Sequence, residues 1–381
     1  MQIKQFSKDA APLHIWGSAF DQGTLDQLEA LTRMPYIFDH VAAMPDAHVG
    51  IGATIGSVFA TRNAVVPSAV GVDIGCGMRA VRTSLPAEAG TQHLLQRFVD
   101  LVYSRIPLGF ESHSNSRDWN GLKHFPLADK ELRKKAAMQL GTLGGGNHFV
   151  EVQSDGQCLW LMIHTGSRHI GLQIAERSIR EAKKYNTHYK MGLPPDLSCL
   201  PLDSSEGQEY MEAMNWALDY ARENRRQLME ELLDIFREAI APSFDELEDI
   251  EINHNFAAFE EHFSKRVLVH RKGATRAYTG EYGIIPGSMG AVSYITRGKG
   301  NPDSFMSSSH GAGRAMGRRE AQKRFGMDDF KRSMKGVVAN LRKNMIDEIP
   351  LAYKNIDEVM KAQEDLVEIV YMLHPLASVK G

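Results

Sequence analysis

The sequence predicts an α+β fold, a single large domain over residues 1–381 with a β-rich core and flanking helices. Three observations carry that expectation. Two blocks rich in glycine and β-branched residues, 40–85 and 139–171, have the composition of strands joined by tight turns. One long stretch, 206–240, repeats its apolar residues at helical spacing. Strands and helices come in separate runs, which disfavours a series of βαβ units.

Taken in order, the first block is "HVAAMPDAHVGIGATIGSVFATRNAVVPSAVGVDIGCGMRAVRTS", read as short strands punctuated by glycine. In the second, "FVEVQ" and "LWLMIH" are expected as buried strands with polar ends. The helix at 206–240 is marked by Met214, Leu218, Ala221, Met229, Leu232 and Phe236, and Pro242 ends it. Strand and loop character returns over 264–310, and helices are expected at about 315–346 and 355–373. Neither an internal repeat nor a low-complexity linker divides the chain.

Composition narrows the classes. A chain of 381 residues with 43% hydrophobic content can bury a large core. Its net charge of -3 gives no global sign of a polyanionic partner, although ten Lys/Arg against three Asp/Glu between Arg314 and Lys343 form a local basic run. Three cysteines (Cys76, Cys158, Cys199) argue against a disulfide framework and for a reducing compartment. The first residues lack a signal peptide's apolar core, and no run approaches the roughly 18–20 apolar residues of a membrane helix. A cytoplasmic location is expected.

The chemistry concentrates around "GVDIGCGMRA". Cys76 lies between glycines, three residues after Asp73, where a thiolate and a carboxylate can face one ion. Among fifteen histidines, His148 follows "GTLGGGN", His164 ends an apolar strand, His254 sits in "EINHNF" and His310 opens "HGAGR". Mixed oxygen, nitrogen and sulfur donors suit Mn²⁺, Co²⁺ or Zn²⁺ better than Mg²⁺ or Ca²⁺. "GGGNH", "PGSMG" and "HGAGR" are candidate phosphate cradles, since bare backbone amides approach an anion closely. A P-loop, an HExxH helix and a GxSxG elbow are all absent.

These segments, with "MPDAHVGIGATIG", "HTGSR", "RKGATRA", "IIPGSMGAVSY" and the terminal "LVEIVYMLHPLASVKG", resemble in order the signatures of the RtcB family of RNA ligases, from about residue 44 onward. The resemblance implies a deep metal- and nucleotide-binding cleft. It also implies GTP- and Mn²⁺-dependent joining of RNA 2′,3′-cyclic-phosphate or 3′-phosphate ends to 5′-hydroxyl ends. Two Mn²⁺ ions would be held by Asp73, Cys76, His148, His164 and His254, with Cys76 shared and its flanking glycines admitting ions and triphosphate. His310 would become guanylylated. Nucleotide contacts would fall on Asn147, Glu151, Asn255, Pro286, Gly287, Ser288, Met289, Ser293, Gly311, Ala312, Gly313 and Lys380. Arg168 would contact phosphate and Asp46 would move a proton. Some members of the family work with the activator archease.

The chain departs from the family pattern at His169 and Ile170, and around "MEAMNWALDYARENR", where Asn215, Trp216, Ala217, Asn224 and Arg225 keep the pattern. These differences are expected on an RNA-facing surface, in a shorter, divergent branch used for RNA repair. Two other classes compete: a metal-dependent RNA phosphodiesterase or nuclease, which needs no GTP, and a non-catalytic RNA-binding factor resting on the basic run.

Overall fold

The computed structural model describes residues 1–381 and is α+β, built on two large sheets. The first is seven-stranded and antiparallel, ordered Glu246–Asn253, Gly77–Pro86, Cys158–Thr165, Phe149–Ser154, Val367–Lys380, Ser293–Gly298, Tyr282–Ile285. Its two edge strands approach each other around a shared core that includes Ile250, Ile284, Ile295 and Trp160, so the sheet nearly closes. The second sheet has six strands, ordered Gln2–Lys4, Leu13–Ile15, Ile37–His48, Ile55–Thr61, Lys265–Lys272, Asn255–His262. Only Leu13–Ile15 and Ile37–His48 pair in parallel.

The expected long helix is present as Ser205–Ala239, with Ser204 accepting from the Gly207 amide at 3.1 Å as its N-cap. At 35 residues it is roughly 50 Å long and reaches across both packing layers. Its C-terminal half packs Leu228, Leu232 and Phe236 on Phe98, Val81 and Leu161, and its N-terminal half packs Tyr210, Met214 and Ala217 on Ile74, Ile170 and Ile174.

Other expectations are corrected. The region 355–373 holds a helix only over Ile356–Ala362, and Val367–Lys380 is a strand. Ser293–Gly298 pairs with the first half of that strand and Phe149–Ser154 with the second, and long-range pairing overrides the local pattern. The stretch 315–346 resolves into two seven-residue helices, Arg318–Arg324 and Met327–Ser333, and a 3₁₀ segment, Lys343–Glu348. The first block holds strands of up to 12 residues, longer than expected. A 21-residue helix, Arg168–His188, begins within what reads as a strand block.

Candidate active site

Sheet register gathers the site. Gly77 pairs with Thr165 and with Asn253, and Phe149 pairs with His164. Cys76 precedes the first of these strands, His148 precedes another, and His164 stands next to the end of a third. His254 is the single residue between Asn253, in one sheet, and Asn255, in the other. Four side chains from distant sequence therefore meet at one end of the seven-stranded sheet.

Their donor atoms converge. Cys76 Sγ lies 3.4 Å from His148 Nε2 and 3.2 Å from His164 Nε2, and His164 Nε2 is 3.3 Å from His254 Nε2. Asp73 Oδ2 is 2.9 Å from His148 Nε2. The Nδ1 of His164 is 3.1 Å from the Asn147 carbonyl, and donating there leaves the Nε2 lone pair facing the cluster. Burial, then His148, lowers the His164 pKa well below its ordinary value; burial, then His310, does the same at His254. Both rings are neutral, the form that ligates a cation. Burial, then the Asp73 carboxylate, holds the Cys76 thiol well above its usual value, and burial opposes the Asp73 charge while hydrogen bonding from His148 brings its pKa below the usual range. A compact set of thiol, carboxylate and neutral imidazoles fits a divalent transition ion.

The glycines beside Cys76 serve packing instead of ligand access. A β-carbon on Gly75 would stand 2.9 Å from Ala221 Cβ of the long helix, and one on Gly77 would stand 2.1 Å from the Ile252 carbonyl oxygen. The backbone carrying Cys76 is thus clamped between helix and strand.

Arg225 is the hub beneath the cluster. It is fully buried, donating from Nη1 to the Gly75 and Thr165 carbonyls at 2.8 and 3.0 Å, and from Nη2 to Asn253 Oδ1 at 2.6 Å, with Nε 2.8 Å from Glu251 Oε1. Asn224 beside it bonds Thr142 and Gly166. Asn224 and Arg225, which keep the family pattern, are buried, as are Trp216 and Ala217, and among the departing positions expected on an RNA-facing surface Ile170, Met214, Tyr220 and Ala221 are buried too. Arg225→Leu strands the buried Gly75 and Thr165 carbonyls and unpairs the partly buried Asn253 and Glu251 side chains. We expect a stability loss of about 3 kcal/mol or more in a denaturant titration, with weakened metal binding.

The cluster opens into a cleft of about 520 Å³. Asp73, Cys76, His164, His254, Asn147, Asn255, Pro286–Met289, His310–Gly313 and Lys380 line it. His310 is next to His254, ring centroids 4.9 Å apart. The Asp46 carboxylate, with no solvent exposure, accepts from His310 Nδ1 at 2.7 Å and from its backbone amide at 3.2 Å. No protein group bonds His310 Nε2, and the ring lines the cleft.

Several expected residues stand back from the wall. Glu151 and Ser293 form a buried layer linked by Gln153 Nε2, which donates to Glu151 Oε2 at 2.6 Å and Ser293 Oγ at 3.1 Å. Burial raises Glu151 to about 7. Arg168, at φ 58°, turns its guanidinium to Thr142 Oγ1 (2.9 Å) and the Gly109 carbonyl (2.6 Å). That left-handed backbone costs on the order of 1 kcal/mol in a non-glycine residue.

Other residues on the wall were not foreseen. Glu348, held down to about 2 against its own burial by the Lys380 and Arg318 charges, contacts Lys380 Nζ at 2.8 Å and also meets Arg314, Arg318 and Tyr353. Lys272, which burial lowers to about 8, ties together the carbonyls of Ile51, Ala53 and Ser68. His48 sits beside them on the wall, lowered by burial to about 4. His48, Lys272 and Arg314 lie inside the motifs "MPDAHVG", "RKGATRA" and "HGAGR"; nothing in the sequence marks Glu348.

The family described as tRNA-splicing ligase RtcB matches residues 27–126 and 121–381. RNA-splicing ligase RtcB of Escherichia coli (strain K12) is 39% identical over 409 aligned positions covering 100% of both chains. The tRNA-splicing ligase RtcB of Thermococcus kodakarensis is 31% identical, over 94% of this chain and 91% of its own. RNA-splicing ligase RtcB of Mycobacterium bovis is 32% identical, over 93% of this chain and 100% of its own. No helix is long and apolar enough to cross a membrane. With full-length identity of this order and the signature segments converging on one cleft, the chain belongs to the RtcB family of RNA ligases.

Proposed function

We propose that this protein is a GTP-dependent ligase acting in RNA repair or tRNA splicing. It joins RNA 2′,3′-cyclic-phosphate or 3′-phosphate ends to 5′-hydroxyl ends through a covalent histidine–GMP intermediate. The observation that carries the reading is His310: its Nδ1 is bonded to buried Asp46, its Nε2 is free at the cleft, and its ring contacts His254 of the donor cluster. A nuclease could use such an imidazole as a general base but needs no triphosphate site, so the glycine-rich cradles beside it favour the ligase, and a binding factor needs neither.

Asp73, Cys76, His148, His164 and His254 would hold two Mn²⁺ ions, which supply positive charge for phosphate oxygens and a source of hydroxide for opening a cyclic phosphate. Asp46 accepts the Nδ1 proton of neutral His310 and so leaves the lone pair on Nε2. That nitrogen attacks the GTP α-phosphorus, a P–N bond forms, and pyrophosphate leaves. An oxygen of the RNA 3′-phosphate then attacks the same phosphorus, and the P–N bond breaks to regenerate His310. The 5′-hydroxyl attacks the activated RNA phosphate and expels GMP. A 3′-phosphate monoester has no workable leaving group, which is why a nucleotide is consumed.

Asp46 thus acts first as the group that fixes the tautomer. Asp46→Asn is expected to slow self-guanylylation by roughly three to four orders of magnitude, as loss of an orienting carboxylate does in a catalytic triad, with metal content unchanged. Single-turnover labelling with GTP checks it. The function is tested with RNA carrying a 3′-phosphate and a 5′-hydroxyl, in Mn²⁺, with and without GTP. Joining only with GTP supports a ligase; cleavage without GTP makes it a nuclease, and retention without chemistry a binding factor.

A further inference from the structure

Phe110 is fully exposed, at 102% of its reference area, on a loop tied to the active site. The Gly109 amide donates to the Gly144 carbonyl at 3.0 Å, and Arg168 Nη2 donates to the Gly109 carbonyl at 2.6 Å. Gly144 in turn abuts the metal-site imidazole, since a β-carbon there would lie 2.3 Å from His148 Nδ1. The loop is also fixed behind Phe110, where the amides of His113 and Arg117 donate to the Met138 and Ala137 carbonyls, each at 2.9 Å. The aromatic ring is therefore presented to solvent from an anchored backbone, next to Gly109, whose partner Gly144 abuts His148.

Met138 and Ala137 belong to the helix Lys130–Gln139, whose outer face is basic. Lys130, Arg133, Lys134 and Lys135, with Lys123 just before the helix, are all exposed. None pairs with a carboxylate, whereas neighbouring Arg117 does, 2.5 Å from Glu231. The helix ends beside the site: the His169 amide donates to Gln139 Oε1 at 3.3 Å, and the Lys135 charge acts on the His169 ring. Ten residues at 1.5 Å per residue give about 15 Å, enough to follow two or three phosphates.

We infer that Phe110 and the cationic face of Lys130–Gln139 form the docking surface for one single-stranded RNA end, the ring stacking on a nucleobase near the reacting terminus and the helix cations following the backbone. The inference rests on the ligase reading and assigns the surface that delivers its substrate. A lone exposed aromatic ring with unpaired cations alongside is the chemistry single-stranded nucleic acid recognises, because every base has a stacking face and every linkage a negative charge. An acidic protein partner could use both features, and it is separated from RNA by whether Phe110→Ala weakens RNA binding.

The test uses the full-length protein and a short fluorescent single-stranded RNA with a 3′-phosphate. Phe110→Ala is expected to weaken RNA binding roughly ten-fold or more, and Phe110→Trp to retain it. The triple change Arg133→Gln, Lys134→Gln and Lys135→Gln is expected to reduce the logarithmic salt dependence of binding by about two units. GTP self-labelling without RNA is read in parallel as a control on folding and on the nucleotide site. Labelling with RNA affinity and salt slope unchanged in every variant overturns the surface and leaves the ligase reading standing. Phe110-dependent RNA binding by protein that never labels supports the surface and overturns the ligase reading.

Discussion

If His310 is the proposed nucleophile, His310→Ala is expected to abolish both the covalent nucleotide adduct and RNA joining, while the protein still folds and keeps its metal-binding donors. The imidazole forms no part of the Cys76, His148, His164 cluster, so its removal leaves those donors in place. Its nearest link to them is ring contact with His254, and its one strong side-chain bond goes to Asp46. The substitution does leave the Asp46 carboxylate with only the residue 310 backbone amide as partner, a cost of about 1–3 kcal/mol that a denaturant titration reads. His48, the other cleft-wall imidazole with a bonded Nδ1 (3.0 Å from the Asp46 carbonyl), stays in place in this variant and is where any residual adduct would map. Labelled GTP with Mn²⁺, followed by denaturing electrophoresis, gives a band for the wild type and none for the variant. A labelled variant band refutes the assignment.

Cys76→Ala is expected to lose metal and activity together if the proposed site is right. The Sγ atom is the one donor within 3.4 Å of both His148 Nε2 and His164 Nε2, so its loss separates the two halves of the site. The site becomes a set of oxygen and nitrogen donors, with no soft ligand to share between ions. Turnover is expected to fall by at least roughly a thousand-fold, since the ions supply most of the charge stabilisation for phosphoryl transfer. Equilibrium dialysis against Mn²⁺, paired with the joining assay, checks both consequences. Full metal content and wild-type turnover would contradict the shared-ligand role. Cys76 is buried, so alanine leaves a small cavity costing about 1 kcal/mol, too little to unfold the domain, and circular dichroism is expected to be unchanged.

Much of this was legible in the sequence, for identifiable reasons. The helix at 206–240 and the strands "FVEVQ" and "LWLMIH" carry period and composition that match what forms. Of the five expected metal ligands, four line the cleft, and His148 joins them from behind it through Asp73 and Cys76. The C-terminal strand was not legible because its conformation is set by partners on both sides, far away in sequence. The helix from Arg168 has Ser167 at its N-cap, but that side chain makes no cap bond and the left-handed Arg168 follows it, so the start lacks the usual capping geometry. Arg225 keeps the family pattern, but its role as a buried hub was not legible, because its four bonds reach three segments far apart in sequence. The Asp46–His310 pair spans 264 positions, so no local pattern joins them.

The central claim is that His310 is the nucleophile in a cleft it shares with the metal ligands. The most direct measurement is peptide mapping by mass spectrometry after incubation with GTP and Mn²⁺ without RNA. A guanylate is expected on the peptide containing His310, attached to the imidazole and lost when RNA with a 3′-phosphate is added. A guanylate on another residue, or efficient GTP-dependent joining with no adduct at all, contradicts it.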